Sequence, residues 1–262
     1  MDQTPPFAVI TGASRGIGAE YARALAAQGY DLLLVARDST QLETLRHELH
    51  HVYQREIWTE SLDLSQPQAA ETLYNLSRSY RTEVSILINN AGFGLYGDFA
   101  EMPLSTIREM LQLHINTIIE NTRLFLPDML ARKRGAMITV SSVAGFFPIP
   151  YITEYAATKA FLIAFSEGLA REIQNQGVTI QVCCPGFTDT DFHQSAGHQP
   201  KYVFFAQSPQ QVVQASLEAL QSKRTLVTVG WEGILASWTS KIIPQTILMT
   251  LAGKSVKPPP PA

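Results

Sequence analysis

The chain has 262 residues, 45% of them hydrophobic and 16% charged, a balance that builds a core and excludes the low-hydropathy, high-charge composition of a disordered protein. With 20 Lys and Arg against 23 Asp and Glu the net charge is −3, and without any run of five like charges the basic face needed to displace counterions from nucleic acid is missing.

The opening Met1-Asp2-Gln3-Thr4-Pro5-Pro6 lacks the basic start and apolar core of a secretory signal. A first strand is predicted from Phe7 to Thr11 and runs into Thr11-Gly12-Ala13-Ser14-Arg15-Gly16-Ile17-Gly18, after which a helical pattern covers Ile17 to Gln28. A glycine turn there brings backbone N–H groups and a helix N-terminus up to a pyrophosphate, and side chains at Gly12, Gly16 or Gly18 would obstruct the approach. A strand-to-helix turn also uses glycines for backbone reasons alone; the place between first strand and first helix is what favours the phosphate. The second strand, Asp31 to Ala36, ends in Arg37-Asp38, about 20 residues past the turn, where a fold holding NAD puts an acid on the ribose hydroxyl. Ala36 takes that place. Arg37 and Arg15 are instead suited to flank a 2′-phosphate, which favours NADPH over NADH. Asp38 argues the other way, and two solvated arginines beside a helix-capping Asp38 is the alternative.

A helix is predicted over Thr40 to His50 and a third strand over Ile57 to Leu62, followed by Asp63-Leu64-Ser65. Asp63 there meets an adenine amino group or caps the helix predicted from Pro67 to Tyr80. The fourth strand, Ser85 to Asn89, leads into Asn89-Asn90-Ala91-Gly92, and one long helix is predicted over Ser105 to Arg132. The fifth, Ala136 to Ser141, leads into Ser142. The helix from Glu154 to Gln176 then carries Tyr155 and Lys159 one turn apart on one face. The sixth strand, Thr179 to Cys184, ends in the chain's two cysteines, Cys183 and Cys184. Neighbours in a strand point to opposite faces, so a mutual disulfide would be strained, and a reduced, cytoplasmic setting is expected.

Pro185-Gly186-Phe187-Thr188-Asp189-Thr190 opens an irregular connection from Phe187 to Ser208, long enough to suggest a substrate lid. A helix over Pro209 to Gln221 and a seventh strand over Leu226 to Val229 follow. Ile234 to Leu251 is apolar, but Lys241, Pro244 and Gln245 interrupt it. It falls short of a span of about 20 residues, and at most weak membrane-surface contact is expected. Strands alternating with helices predict an α/β fold with a single doubly wound Rossmann domain: a seven-stranded parallel sheet over 1–257, including the loop at about 187–208 and the segment 231–252. Residues 258–262 form a Pro-rich tail.

Thr-Gly-x-x-x-Gly-x-Gly, Asn-Asn-Ala-Gly, Ser142 and Tyr-x-x-x-Lys, in this order and spacing, resemble the short-chain dehydrogenase/reductase family from about Phe7 to Val229. The resemblance implies a cofactor-dependent oxidoreductase. Tyr155 would be its acid or base, Lys159 the activator that also holds the nicotinamide ribose, and Ser142 the group that orients the substrate oxygen. Asn116, in His114-Ile115-Asn116-Thr117, would complete the tetrad through a water, with His114 a packing histidine. Cofactor contacts are implied at Gly12, Ser14, Arg15, Gly16, Ile17 and Gly18, then at Arg37, Asp63 and Leu64. Further on they fall at Asn89, Ala91 and Gly92, and at Pro185, Gly186, Thr188 and Thr190. Thr188 departs from the family's usual aliphatic residue at a position that contributes backbone contacts.

The chemistry is consistent: a phenol of pKa near 10 donates poorly at neutral pH, and an ammonium one turn away is expected to lower that value by ~1 to 3 units. No His/Cys cluster of zinc-ligand spacing occurs, so no metal is expected. Phe93 to Tyr96, Phe146 to Tyr151, Phe187, Phe192 and Tyr202 to Phe205 are apolar, with Lys201 the one cation. They favour a small hydrophobic ketone or aldehyde, or a ketoacyl chain, although Ile149 and Tyr151 are equally placed to face a subunit neighbour. Oxidation of a hydroxylated lipid or steroid is the alternative, and a non-catalytic cofactor sensor is a second. The family likeness implies a homodimer or homotetramer through the helices bearing Asn116 and Tyr155.

Overall fold

Seven short apolar runs form one parallel sheet in the computed structural model, which describes residues 4–190 and 206–256. The strands are β1 (Phe7–Thr11), β2 (Asp31–Ala36), β3 (Ile57–Ser61), β4 (Ile86–Asn89), β5 (Gly135–Val140), β6 (Val178–Cys184) and β7 (Leu226–Thr228), in the order β3-β2-β1-β4-β5-β6-β7. The central strands read as unbroken apolar sequence because both faces are covered. From β1 and β2, Ala8, Ile10, Leu32 and Leu34 point to one face, where α1 (Gly16–Ala27), α2 (Ser39–Tyr53) and α7 (Pro209–Gln221) pack. Phe7, Val9, Leu33 and Val35 point to the other, against α3 (Ala69–Tyr80), α5 (Thr117–Ala131) and α6 (Thr153–Glu172). The order reverses between β1 and β4, which opens a crevice at the carboxyl ends of the strands, the usual ligand position in such sheets.

The expected strands and most helices are present to within a few residues. The exception is the long helix expected over Ser105 to Arg132. It is α4 (Leu104–Leu111), a π-helical turn at Gln112–Asn116 and then α5. A π turn adds a residue to the helical ring and re-aims the side chains within it, and such turns concentrate at functional sites. Ile234 to Leu251, read above only as apolar, lies in two helices, α8 (Gly230–Ile242) and α9 (Gln245–Val256). On α8, Ile234, Leu235, Trp238 and Ile242 are exposed. Among the described residues no helix is long and apolar enough to cross a membrane. Cys183 and Cys184 are buried free thiols. Most of the connection from Phe187 to Ser208, including Phe192, Lys201 and Tyr202 to Phe205, and the tail 258–262 lie outside the described residues.

Candidate active site

The glycine turn is built for close approach. Gly12 has φ +66° and Gly16 φ +57°, and a Cβ on Gly18 would lie 2.1 Å from the Gly12 carbonyl oxygen, so only glycine lets α1 start against the turn. Asn90 clamps it: its side-chain amide donates to the carbonyls of Thr11 (3.0 Å) and Gly12 (3.2 Å). Thr11 Oγ1 accepts the backbone N–H groups of Asn90 and Ala91. At the head of α1 the N-cap residue Arg15 provides no side-chain cap, and the first turn holds no acid. The orphan N–H groups of that turn and the positive end of the helix dipole thus face the crevice. This cradle fits a dinucleotide pyrophosphate, with Ser14 and Ile17 within the turn.

Asp38 proves to be the cap of α2, its Oδ1 accepting Gln41 N–H at 3.0 Å. Arg15 and Arg37 are both exposed, and among the described residues neither forms an ion pair. The Asp63 carboxylate accepts from Ser65 N–H (3.0 Å), Ser65 Oγ (2.7 Å) and Gln66 Nε2 (3.1 Å). Burial raises its pKa, but those bonds and the nearby charge of Arg37 outweigh burial and leave it below the usual value. Asp63 thus organises the turn before α3 and does not cap the helix, whose N-cap residue is Gln68. Leu64 is buried, its carbonyl taken by Thr117 Oγ1 at 2.8 Å. Asn89 is buried too, its Oδ1 accepting from Asn121 Nδ2 at 3.1 Å.

On the other side of the crevice the segment after β6 folds back towards the turn. A Cβ on Gly16 would come within 3.2 Å of Thr190 Cγ2. Thr188 Oγ1 donates to the Gly186 carbonyl at 3.2 Å. Pro185 is buried, and its carbonyl accepts Val143 N–H. Gln207, which nothing in the sequence singled out, fastens this segment: its Oε1 accepts Gly186 N–H at 3.2 Å and its Nε2 donates to the Val229 carbonyl at 2.6 Å.

Ser142 and Tyr155 come together at the crevice floor. Ser142 is near enough to the Tyr155 hydroxyl to lower its pKa, and Ser142 Oγ accepts Ala144 N–H at 3.1 Å. The turn Val143–Gly145 lies so close to α6 that a Cβ on Gly145 would sit 2.7 Å from the Lys159 carbonyl carbon. Lys159 is buried, its Nζ donating to the Val140 carbonyl at 2.9 Å and lying 5.6 Å from the centre of the Tyr155 ring. Burial governs the phenol and raises its pKa above 10, with Ser142 pulling the other way. The expected lowering by Lys159 is reversed, and Tyr155 stands as a neutral O–H donor. Burial also lowers Lys159, to about 8.

Asn116, the last residue of the π turn, is exposed, its Nδ2 donating to Gln112 Oε1 at 2.9 Å. His114 is fully buried, with its ring 5.9 Å from that of Tyr155.

The wall facing Tyr155 is apolar. Ala144, Ile149, Ile152 and Ala156 form a buried cluster against which Tyr96, Phe147, Tyr155, Ala252 and Val256 pack. Ile149 thus lies inside the protein and does not face a neighbour, and α9 contributes to the site.

The sequence matches the short chain dehydrogenase family over residues 6–201. It is 38% identical to the very-long-chain 3-oxoacyl-CoA reductase of Phaeosphaeria nodorum over 179 residues, 67% of this chain and 52% of that protein. To the very-long-chain 3-oxoacyl-CoA reductase of Anas platyrhynchos it is 31% identical over 263 residues, 96% and 80% of the two chains. The chain spans about half the length of the first of these relatives. Among solved structures it resembles a short-chain dehydrogenase from Sphingobium yanoikuyae in complex with NADPH, at 28% identity and a TM-score of 0.83 over 94% of this chain and 95% of that one. A match over most of the chain and a shared fold around the same crevice make this protein a member of the short-chain dehydrogenase/reductase family of oxidoreductases.

Proposed function

We propose that the protein is an NADPH-dependent reductase of hydrophobic ketones, with a 3-oxoacyl thioester the favoured substrate class. The observation that carries this reading is Ser142 beside the Tyr155 hydroxyl, against an apolar wall of Tyr96, Phe147, Ala252 and Val256. Bound NADPH would supply the hydride that adds to the carbonyl carbon. The chain's own residues do the rest: Tyr155 passes its hydroxyl proton to the carbonyl oxygen, Ser142 donates to the same oxygen and fixes its direction, and the apolar wall keeps water from competing. A phenol held neutral by burial is in the protonation state that reduction consumes. Arg15 and Arg37, exposed on either side of the adenosine end, favour the 2′-phosphate. The very-long-chain 3-oxoacyl-CoA reductase relatives support an acyl substrate, and the apolar wall supports a long chain. Exposed Phe161, stacked on Phe165 along α6 at 5.9 Å, supports a dimer contact on that helix.

The test is NADPH oxidation by the purified chain with 3-oxoacyl-CoA esters of increasing length, alongside bulky ketones and hydroxysteroids with NADP. Turnover that rises with acyl length and prefers NADPH is expected. Turnover confined to alcohol oxidation, or absent with every carbonyl, would overturn the reading.

A further inference from the structure

We propose that His114 is a neutral positioning residue that ties the loop after β4 to the helix bearing Tyr155, and so fixes where the tyrosine hydroxyl meets the substrate carbonyl. The proposal rests on the reductase reading above. His114 is fully buried at the centre of the π turn. Its Nε2 accepts the Phe93 backbone N–H at 3.1 Å. A ring nitrogen that accepts holds no proton, so the proton of the neutral ring is on Nδ1. Nδ1 lies 3.0 Å from Thr158 Oγ1 and donates to it. Thr158 Oγ1 is able to accept because its own hydrogen goes to the Tyr155 carbonyl at 2.8 Å. The chain of bonds from Phe93 N–H through both ring nitrogens and Thr158 to Tyr155 leaves no donor unmatched.

The ring also fits by shape. It packs edge-on against Phe93 and Tyr155, at 5.7 and 5.9 Å between ring centres. A Cβ on Gly92 would come within 2.9 Å of Nε2, so the loop approaches the imidazole more closely than any side chain there would permit. A second proton on the ring would break the Phe93 bond and place a buried charge near Lys159. From α6 the ring faces Tyr155 and Lys159, and residues 90–93 add no titratable group. Burial first, and Lys159 second, hold the imidazole well below its usual pKa. His114 therefore shuttles no proton at neutral pH.

Two substitutions cut the chain of bonds at different links. His114→Phe keeps a ring and removes both nitrogens, while Thr158→Val keeps the shape of the threonine and removes its hydroxyl. Each is expected to lower kcat about 10- to 100-fold, the effect of misplacing a reacting group by roughly an ångström, with NADPH Kd by fluorescence titration within about twofold of wild type. The double variant should fall no further than the worse single, since one broken link suffices. Losses that multiply, or kcat within twofold of wild type in both singles, would overturn the proposal. The ¹⁵N shifts of the imidazole, assigned by comparison with His114→Asn, give a readout that needs no turnover. The Nδ1–H tautomer is expected, unchanged from about pH 5.5 to 8, and an Nε2–H tautomer or a titration near 6.5 would refute it. If wild type reduces no carbonyl, the reductase reading fails, and the tautomer still decides whether the linkage exists.

Discussion

Replacing Lys159 by Met exchanges a buried ammonium for a chain of similar length that carries no charge, and the consequence for stability depends on pH in a direction fixed by the lysine's surroundings. Burial lowers its pKa from 10.5 to about 8 in the folded protein. Below about pH 8 the lysine is protonated whether the chain is folded or not, and folding bears the full cost of burying the charge. Between about 8 and 10.5 the unfolded chain binds more protons, so wild-type stability rises with pH; above 10.5 both states are neutral and the cost is gone. At about 1.4 kcal/mol per pKa unit the cost is about 3 kcal/mol, reduced in the comparison by about 1 kcal/mol for the lost bond from Nζ to the Val140 carbonyl. Lys159→Met is therefore expected to be about 2 kcal/mol more stable than wild type at pH 7 and to lose that advantage by pH 10.5. Urea unfolding of both proteins from pH 6.5 to 10.5, followed by far-UV circular dichroism, measures the gap directly. A gap that stays constant with pH, or widens as pH rises, would refute the argument that burial dominates this lysine.

Tyr155→Phe should lower kcat by roughly 10² to 10⁴ while leaving NADPH affinity within a few-fold, since the hydroxyl transfers a proton and does not hold the dinucleotide; stopped-flow reduction and fluorescence titration separate the two. Arg15→Ala/Arg37→Ala should cut the preference for NADPH over NADH about tenfold to a hundredfold, and an equal loss with both cofactors in steady-state kinetics would show that the arginines serve the fold instead. Asp38→Ala should cost about 1 kcal/mol through the lost cap of α2, seen in thermal unfolding, without changing that preference. Gly18→Ala, whose Cβ would lie 2.1 Å from the Gly12 oxygen, should destabilise by about 1 to 3 kcal/mol and abolish the rise in Tm that NADPH gives the wild type. A variant still stabilised by NADPH would mean the turn opens without consequence.

The centre of the sheet was legible because β1, β2 and β4 are buried on both faces and read as nearly continuous apolar residues, and the glycine turn because of the backbone geometry at Gly12 and the close approach at Gly18. Ser142, Tyr155 and Lys159 were legible only through the family resemblance, and the fold brings Ser142 and Lys159 to Tyr155. What the sequence concealed depends on small departures from regular geometry. Apolar periodicity across Ser105 to Arg132 looks like one helix, yet a single π turn interrupts it, with Asn116 exposed and His114 buried. The state of Tyr155 is hidden for a related reason. Adjacency on a helix predicts that Lys159 is near the tyrosine, but only coordinates show its ammonium directed at the Val140 carbonyl, leaving burial to set the phenol. Gln207 acts by joining segments distant in the chain, and no local pattern marks such a residue.

The last helix carries a further consequence. The proposed proton donor and dinucleotide cradle lie within residues 11–190, as do Tyr96 and Phe147 of the wall against Tyr155, and that wall is completed by Ala252 and Val256 of α9, held where Gly253 lies near Pro150, 3.3 Å from a Cβ there. Part of the wall that the proposed substrate would meet is thus written outside the stretch that carries the proposed chemistry. Exchanging about a dozen residues at the carboxyl end would alter which ketones enter, by length or girth, without touching the groups that reduce them.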